Sequence, residues 1–339
     1  MATLSDVAQR AGVSLSTASR ALNGSRDRVV RPDLKAKALQ AAHELNYVPN
    51  AAAQTMARGH SMAVALIVND IRDPYFSSIA AGVIKTASES DYIVTLSTIS
   101  YDREALVPLI HAIRQQRPEA LLIAGSLWNE ESYLNDVKEA LEDFQASTGS
   151  QICCIGQSRL GFHSVTLKNR TGAYGLGLAL AEQGLRTAAV LTGPELHMTA
   201  AKRTQGFVEG FSSSGVVLAQ VHGDFTRDGG HEAMRTVLDM DPLPDLVFAV
   251  NDVMAVGALA AARESGVRVP EDIALAGFDD IPTLRDVSPA LTTVRVPMEL
   301  LGTTAVNLAL QPTGTDPTTV TLTTTPVFRE STARQAEHL

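Results

Sequence analysis

From residue 61 onward the chain repeats one pattern. Short, continuous apolar runs alternate with stretches of helical periodicity. The runs fall at 63–68, 92–97, 120–124, 151–155, 164–167, 188–192, 246–250 and 273–276. A strand that is apolar on both sides must be covered on both faces, as happens when helices connect parallel strands. The series predicts two doubly wound α/β lobes in tandem, with parallel sheets. Aromatics make up only 5% of the chain, so the cores must be mostly aliphatic.

The first sixty residues break this pattern. Residues 3–23 read as two short helices joined by a tight turn. Thr3 is placed to cap the first helix, with Asp6 at the acid position of a capping box. Val7, Ala8 and Ala11 form its inner stripe. Gly12 stands where a helix ends in a left-handed residue, which glycine adopts without a Cβ clash. Ser14 is placed to cap a second helix over 15–22, whose Ala18, Ala21 and Leu22 face the first. A third helix over 32–45 opens on Pro32. It adds Leu34, Ala38, Leu39, Ala42 and Leu45 to a small all-α core.

Leu15, Ser16, Ser19 and Arg20 are left on the outer face of the second helix. In a helix-turn-helix this face enters the major groove. Arg20 then suits guanine and Leu15 a thymine methyl. Ser14, Thr17 and the first free amides suit phosphate oxygens. An ordinary helical hairpin with a solvated outer face would show the same small residues.

Charge helps to separate these readings. The whole chain is acidic, with a net charge of -9. Residues 1–60 nevertheless carry eight Lys/Arg and four Asp/Glu, whereas the remainder carries 20 and 33. A basic head on an acidic body suits nucleic acid at the N-terminal end only. No apolar run is long enough to span a membrane. Met1-Ala2-Thr3 opens neither a basic nor an apolar leader, so a cytoplasmic protein is expected. Cys153 and Cys154 are the only cysteines and are adjacent, which suits neither a disulfide framework nor a zinc site. No metal and no cofactor are expected.

Four sequence words take the reading further: Thr3-Leu4-Ser5-Asp6-Val7-Ala8, Ala11-Gly12-Val13-Ser14, Ala18-Ser19-Arg20-Ala21-Leu22-Asn23 and Glu44-Leu45-Asn46-Tyr47-Val48-Pro49-Asn50. Through them, and through the large domain downstream, the chain resembles the lactose-repressor family of bacterial transcription regulators. The resemblance implies a helix-turn-helix domain over 1–48 and a hinge helix and linker over 49–60. It implies a two-lobed effector-binding and dimerisation domain, like the periplasmic binding proteins, over 61–332. DNA contacts are expected from Thr3, Ser14, Leu15, Ser16, Thr17, Ser19, Arg20, Asn23 and Tyr47, and in the hinge from Asn50, Ala53 and Met56. So short a hinge helix is marginal alone. Ala53 keeps it close to a dimer mate, and Met56 stands where family members push an apolar wedge into the minor groove. The loop at 24–31 is long for the family, and Arg31 replaces a common capping Ser. Arg26, Arg28 and Arg31 either contact phosphate or are simply solvated.

In this family the chain crosses between its lobes three times, here expected near 157–161, 282–291 and 311–316. The effector lies in the crevice at the carboxyl ends of the strands. The resemblance places Tyr75, Phe76, Lys168, His197, Thr199, Arg203, Phe225, Asn251 and Asp279 there. Arg203 and Asp279 suit two-point contacts with hydroxyls or carbonyls. Phe225 suits the apolar face of a sugar or base. Asp252 reads instead as a helix cap. Gly156-Gln157 stands where many members have Asp-Arg, Lys168 where many have Asp, and His197 also varies from the family. The acid lost at 156 and the charge reversed at 168 make the crevice more positive. An anionic effector and a neutral sugar or nucleoside both stay open.

The function implied is a transcriptional regulator, chiefly a repressor, whose operator affinity is set by a small-molecule effector. Its partners are near-palindromic double-stranded DNA, the effector and a second copy of itself, with no membrane. Only seven residues follow Phe328-Arg329-Glu330-Ser331-Thr332, too few for a tetramerising heptad repeat, so dimers are expected. A solute-binding protein for transport would share the large fold but not the basic head. An enzyme is not expected. Gly175-Leu176-Gly177 is half a dinucleotide fingerprint inside a helical stretch, and no phosphate loop, nucleophile elbow or metal cluster accompanies it.

Overall fold

The computed structural model describes residues 2–23, 30–48, 61–312 and 314–333. It divides into two compact units, Met1–Ser61 and Met62–Leu339. Asn50, Ala53 and Met56 of the expected hinge, and Arg26 and Arg28 of the loop, lie outside the described residues.

The small unit holds helices α1 (Leu4–Ala11), α2 (Leu15–Asn23) and α3 (Pro32–Glu44). A capping box opens α1: Asp6 N donates to Thr3 Oγ1 at 3.3 Å and Thr3 N donates to Asp6 Oδ2 at 2.8 Å. Gly12 ends the helix in the left-handed region at φ 65°. Ser14 then caps α2, its Oγ accepting from Thr17 N at 3.1 Å. The core is almost all alanine: Val7 with Ala8, Ala18, Ala21, Ala38, Ala41 and Ala42. Such small side chains let the three helices pack closely. The expected Leu39 is 48% exposed, and Ala41 takes the inner place. Positions 34, 38, 41, 42 and 45 form one helical stripe, and 39 falls outside it. Arg31 precedes α3 without a side-chain cap and instead grips Asp33 of the first turn.

The large unit contains two parallel sheets. The first has the order β11-β5-β4-β3-β1-β2. Its strands are β1 (Ala63–Val68), β2 (Ile93–Thr98), β3 (Ala120–Ala124), β4 (Gln151–Ile155), β5 (His163–Leu167) and β11 (Thr319–Leu322). Helices α4 (Pro74–Ser88), α5 (Leu106–Arg114), α6 (Glu131–Thr148) and α11 (Met298–Ala309) complete this first lobe. The second sheet has the order β7-β6-β8-β9. It is built from β6 (Thr187–Thr192), β7 (Val216–His222), β8 (Leu246–Ala249) and β9 (Ala274–Ala276). Its helices are α7 (Asn169–Glu182), α8 (Met198–Phe211), α9 (Arg227–Leu238) and α10 (Asp252–Glu264). A short antiparallel pair, β10 (Thr293–Arg295) with β12 (Thr325–Val327), continues from this sheet through bridges at Ala276–Thr292 and Asp279–Arg295.

The central strands β1, β3 and β4 are buried along nearly their whole length, as their continuous apolar runs require. The overlooked β7 has alternating exposure and no such run, because it is an edge strand covered on one face. All three crossings lie later than expected. β5 stays in the first sheet, so the first crossing is at Lys168. Residues 277–295 remain with the second lobe, and α11 packs on α4 and β4, so the second falls at 296–297. The third, at 323–324, lies between β11, which pairs with β5, and β12, which pairs with β10. An apolar run signals a strand but not the sheet that the strand will join.

The helix pair α7 and α8 explains Gly177 of the half-fingerprint, whereas a Cβ on Gly175 would meet only Pro326, at ordinary contact distance. A Cβ on Gly177 would lie 2.6 Å from the Phe207 carbonyl oxygen, and Gly206 and Gly210 sit as tightly against Arg170 and Tyr174. These glycines allow a close helix crossing rather than cradle a phosphate.

Candidate functional site

The small unit presents one polar face along α2. Ser14, Leu15, Ser16 and Arg20 are exposed, Leu15 at 54%, and Thr17 and Ser19 are half-buried. Ser14 Oγ lies 3.0 Å from Ser16 Oγ and 2.8 Å from Thr17 Oγ1, so the first turn carries a cluster of hydroxyls. Thr3 is held in its capping box at the start of α1. Tyr47 is half-buried and packs on the small core from beyond α3. Asn23 ends α2, and its side chain lies outside the described residues. Arg10 of α1 pairs with Glu44 of α3 at 2.8 Å, bracing the frame that carries this face.

In the large unit the carboxyl ends of both sheets face one narrow cavity of about 30 Å3. Arg203, on α8, lines it and is 2% exposed. Its Nε donates to Asn169 Oδ1 at 3.0 Å, its Nη1 to the Val250 carbonyl at 2.8 Å and its Nη2 to Asp279 Oδ1 at 2.7 Å. The guanidinium lies 3.9 Å from the centre of the Phe278 ring. These bonds use three of its five donors. Asp279 has φ 131°, a conformation that few L-residues adopt, and it is held there on the turn after β9. Burial raises the Asp279 carboxyl above its usual range, and the Arg203 guanidinium opposes the rise.

The first lobe contributes Asp73, which caps α4 by accepting from Tyr75 N at 2.9 Å. Burial pushes its carboxyl up to about 6. Tyr75 and Phe76 follow, their rings edge to face with centroids 5.0 Å apart. From the second lobe, His197 caps α8, and its ring lies 4.5 Å from that of Phe225. Burial and the Arg203 charge push His197 down to about 3, so the imidazole is neutral at physiological pH. The lobes touch where Thr199 N donates to Ser126 Oγ at 3.1 Å and Asn129 N donates to the Leu196 carbonyl at 2.8 Å.

Seven of the nine expected residues thus line one cavity: Tyr75, Phe76, His197, Thr199, Arg203, Phe225 and Asp279. Lys168 and Asn251 do not. Lys168 is exposed, and its main chain is occupied at the crossing between Leu322 and Gly172. Asn251 is 1% exposed and caps α10 through Met254 N. Its Nδ2 donates to the Phe225 main-chain carbonyl at 3.5 Å and so ties down the backbone that carries the ring. Asp252 is not a cap. It accepts from Ile281 N and Thr293 Oγ1 and holds the turn that carries Asp279. Of the two changes behind the expected positive crevice, Gly156 lines the cavity without a charge and Lys168 stays outside it, so no added cation enters. Gln157 accepts from Arg159 N. Sequence reasoning passed over Asn69, Tyr101, Ser126 and Asn169, which also line the cavity. Each comes shortly after the end of a strand, the signal that would have found them. Ser100 and Tyr101 both have positive φ, a strain that sequence does not display.

Among the described residues there is no group of three or more His, Cys, Asp or Glu side chains placed to hold a metal, and no helix long and apolar enough to cross a membrane. Fold and sites together define a helix-turn-helix unit followed along the chain by a two-lobed α/β unit with a crevice between its lobes. Comparison with known proteins agrees. Residues 3–50 match the bacterial regulatory proteins of the lacI family, and residues 178–332 match the periplasmic binding protein-like domain. The HTH-type transcriptional repressor PurR of Erwinia tasmaniensis is 34% identical over 314 residues, covering 91% of this chain and 90% of that protein. A structure of the lac repressor dimer bound to operator and the anti-inducer ONPF is 27% identical, with a TM-score of 0.83, over 98% of this chain and 99% of that one. A complex of the transcriptional regulator CelR with cellobiose is 30% identical, with a TM-score of 0.68, over 98% and 100%. The chain belongs to the LacI family of bacterial regulatory proteins. It is a DNA-binding transcriptional regulator under small-molecule control and not an enzyme.

Proposed function

We propose that this regulator is a cytoplasmic repressor. It binds a near-palindromic operator as a homodimer and takes a neutral, polyhydroxylated effector in the crevice. The observation that carries the operator reading is the exposed face of α2, with Leu15, Ser16 and Arg20 outward on a helix capped by Ser14. Arg20 and Leu15 read bases, and Ser14, Ser16, Thr17 and Ser19 engage phosphates or base edges. The lac repressor structure is described as a dimer on operator, and a two-fold dimer requires a two-fold site. Asn50, Ala53 and Met56 act in the minor groove between the two half-sites.

The effector reading rests on charge as well as shape. The Arg203 charge is matched by Asp279, His197 is neutral and Lys168 lies outside. Asp73, Asp279 and Asn169 supply acceptors for hydroxyl groups, and Phe225 supplies a face for an apolar ring surface. A ring-sized ligand needs several hundred Å3, roughly 300 or more. The cavity is far narrower, so the lobes part to admit the ligand and close on it.

A gel-shift titration with a palindromic duplex tests this, repeated with ligands found by thermal-shift screening of sugars and nucleosides. The expected result is a specific complex whose affinity changes with the ligand. A crevice ligand that leaves operator affinity untouched contradicts the proposal.

A further inference from the structure

The cavity does not end at Phe225. A second narrow space of about 20 Å3 shares Asn69, Tyr101, Gly125, Ser126 and His197 with it and runs into the first lobe. The two spaces differ in chemistry. The first is lined by the carboxyls of Asp73 and Asp279 and by Arg203. Apart from Asp102, whose carboxylate accepts from Glu104 N, the second is lined mainly by Ile67, Ile99, Leu106, Leu127, Trp128 and Tyr133, from the apolar core on the other face of the first sheet.

Two buried polar atoms without a protein partner belong to the residues that both spaces share: Tyr101 Oη and His197 Nε2. The proton on His197 can be placed. Ala200 N donates to Nδ1 at 3.4 Å, so the neutral ring carries its hydrogen on Nε2. The junction therefore offers an N–H donor and a phenol hydroxyl. Orphaned buried polar groups are rare in folded proteins and call for a partner. Trp128 stands beside them, its ring edge to face with His197 and 6.2 Å away.

We propose that the effector is a two-part molecule: a hydroxylated ring held by Arg203, Asp73 and Asp279, joined through one linking oxygen or nitrogen to a flat apolar group. The linking atom or its neighbour pairs with Tyr101 and His197, and the apolar group enters the arm beside Trp128 as the lobes part. This rests on the crevice being the effector site. Aryl glycosides and nucleosides share the required chemistry.

The test is calorimetry on the full-length protein with matched probes. Phenyl and methyl β-D-glycosides of glucose, galactose and xylose form one arm, and adenosine with ribose the other. The inference expects at least one larger probe to bind about tenfold tighter, or more, than its small counterpart, from burial of the added ring. It also expects Trp128→Ala to erase that preference and the near-isosteric Tyr101→Phe to weaken the larger probe without unfolding the protein. Preference in the glycoside arm alone or the nucleoside arm alone identifies the source. Equal binding within every pair, a preference that survives Trp128→Ala, or no binding by any pair overturns the inference. Phe225→Ala separates the underlying reading: if it leaves binding of every probe unchanged, the ligand is not in the crevice at all.

Discussion

Removing the Arg203 guanidinium would strip three hydrogen bonds from a buried site and leave Asp279 without its counter-charge. Breaking one partner out of a buried pair costs about 3–5 kcal/mol. Arg203→Ala should therefore lower unfolding free energy in denaturant by that order, and Arg203→Leu combined with Asp279→Leu should cost less than Arg203→Ala alone. Equal losses would mean that the pair contributes little. His197 makes a pH prediction. Its folded pKa of about 3 lies below the ordinary value of 6.5, so its contribution is complete above pH 6.5 and is lost as pH falls toward 3. His197→Gln should lose less stability than wild type between pH 7 and pH 4, followed by chemical denaturation at each pH. An equal loss would remove the buried neutral histidine from the account.

At this scale Tyr75, Arg203 and Asp279 were legible through the family resemblance, whereas Asn69, Tyr101, Ser126 and Asn169 were passed over although each follows a strand end. Lys168 was not legible, because a one-residue step from Leu167 through Lys168 to Asn169 passes from cavity wall to solvent and back. Position alone does not show which of three consecutive side chains faces inward.

Among the elements, α2 carries the prediction most open to direct test. Arg20→Ala should weaken operator binding by about 1–3 kcal/mol and relax preference at one base position. Fluorescence anisotropy on specific and random duplexes checks it, and equal weakening on both would reassign Arg20 to phosphate. The pair α7 and α8 makes a second one. Gly206→Ala places a methyl against the Arg170 carbonyl, where backbone must shift. Overpacking of this kind costs about 1–3 kcal/mol, to be read from the melting transition. The helices, buried strands and caps were legible because each follows from local chemistry: Thr3 with Asp6, Gly12, Ser14, and the apolar runs. The strand β7 was not, because an edge strand needs only one apolar face. Nor was the stripe of α3, where Leu39 outranks Ala41 in hydrophobicity but stands one position off the inner face.

For the whole molecule, class and domain order followed from the sequence, whereas the path between lobes did not. The crossings depend on which sheet β5, β10 and β11 join, and that pairing is made by tertiary contacts. The central claim is that two copies of this chain read a two-fold DNA site through α2. In vitro selection of bound duplexes from a random pool tests it most directly, run on wild type and Arg20→Ala. The account predicts enrichment of a near-palindrome by wild type, with the preference at one symmetric pair of positions lost in Arg20→Ala. An enriched site without two-fold symmetry, or the same palindrome recovered unchanged by Arg20→Ala, would contradict it.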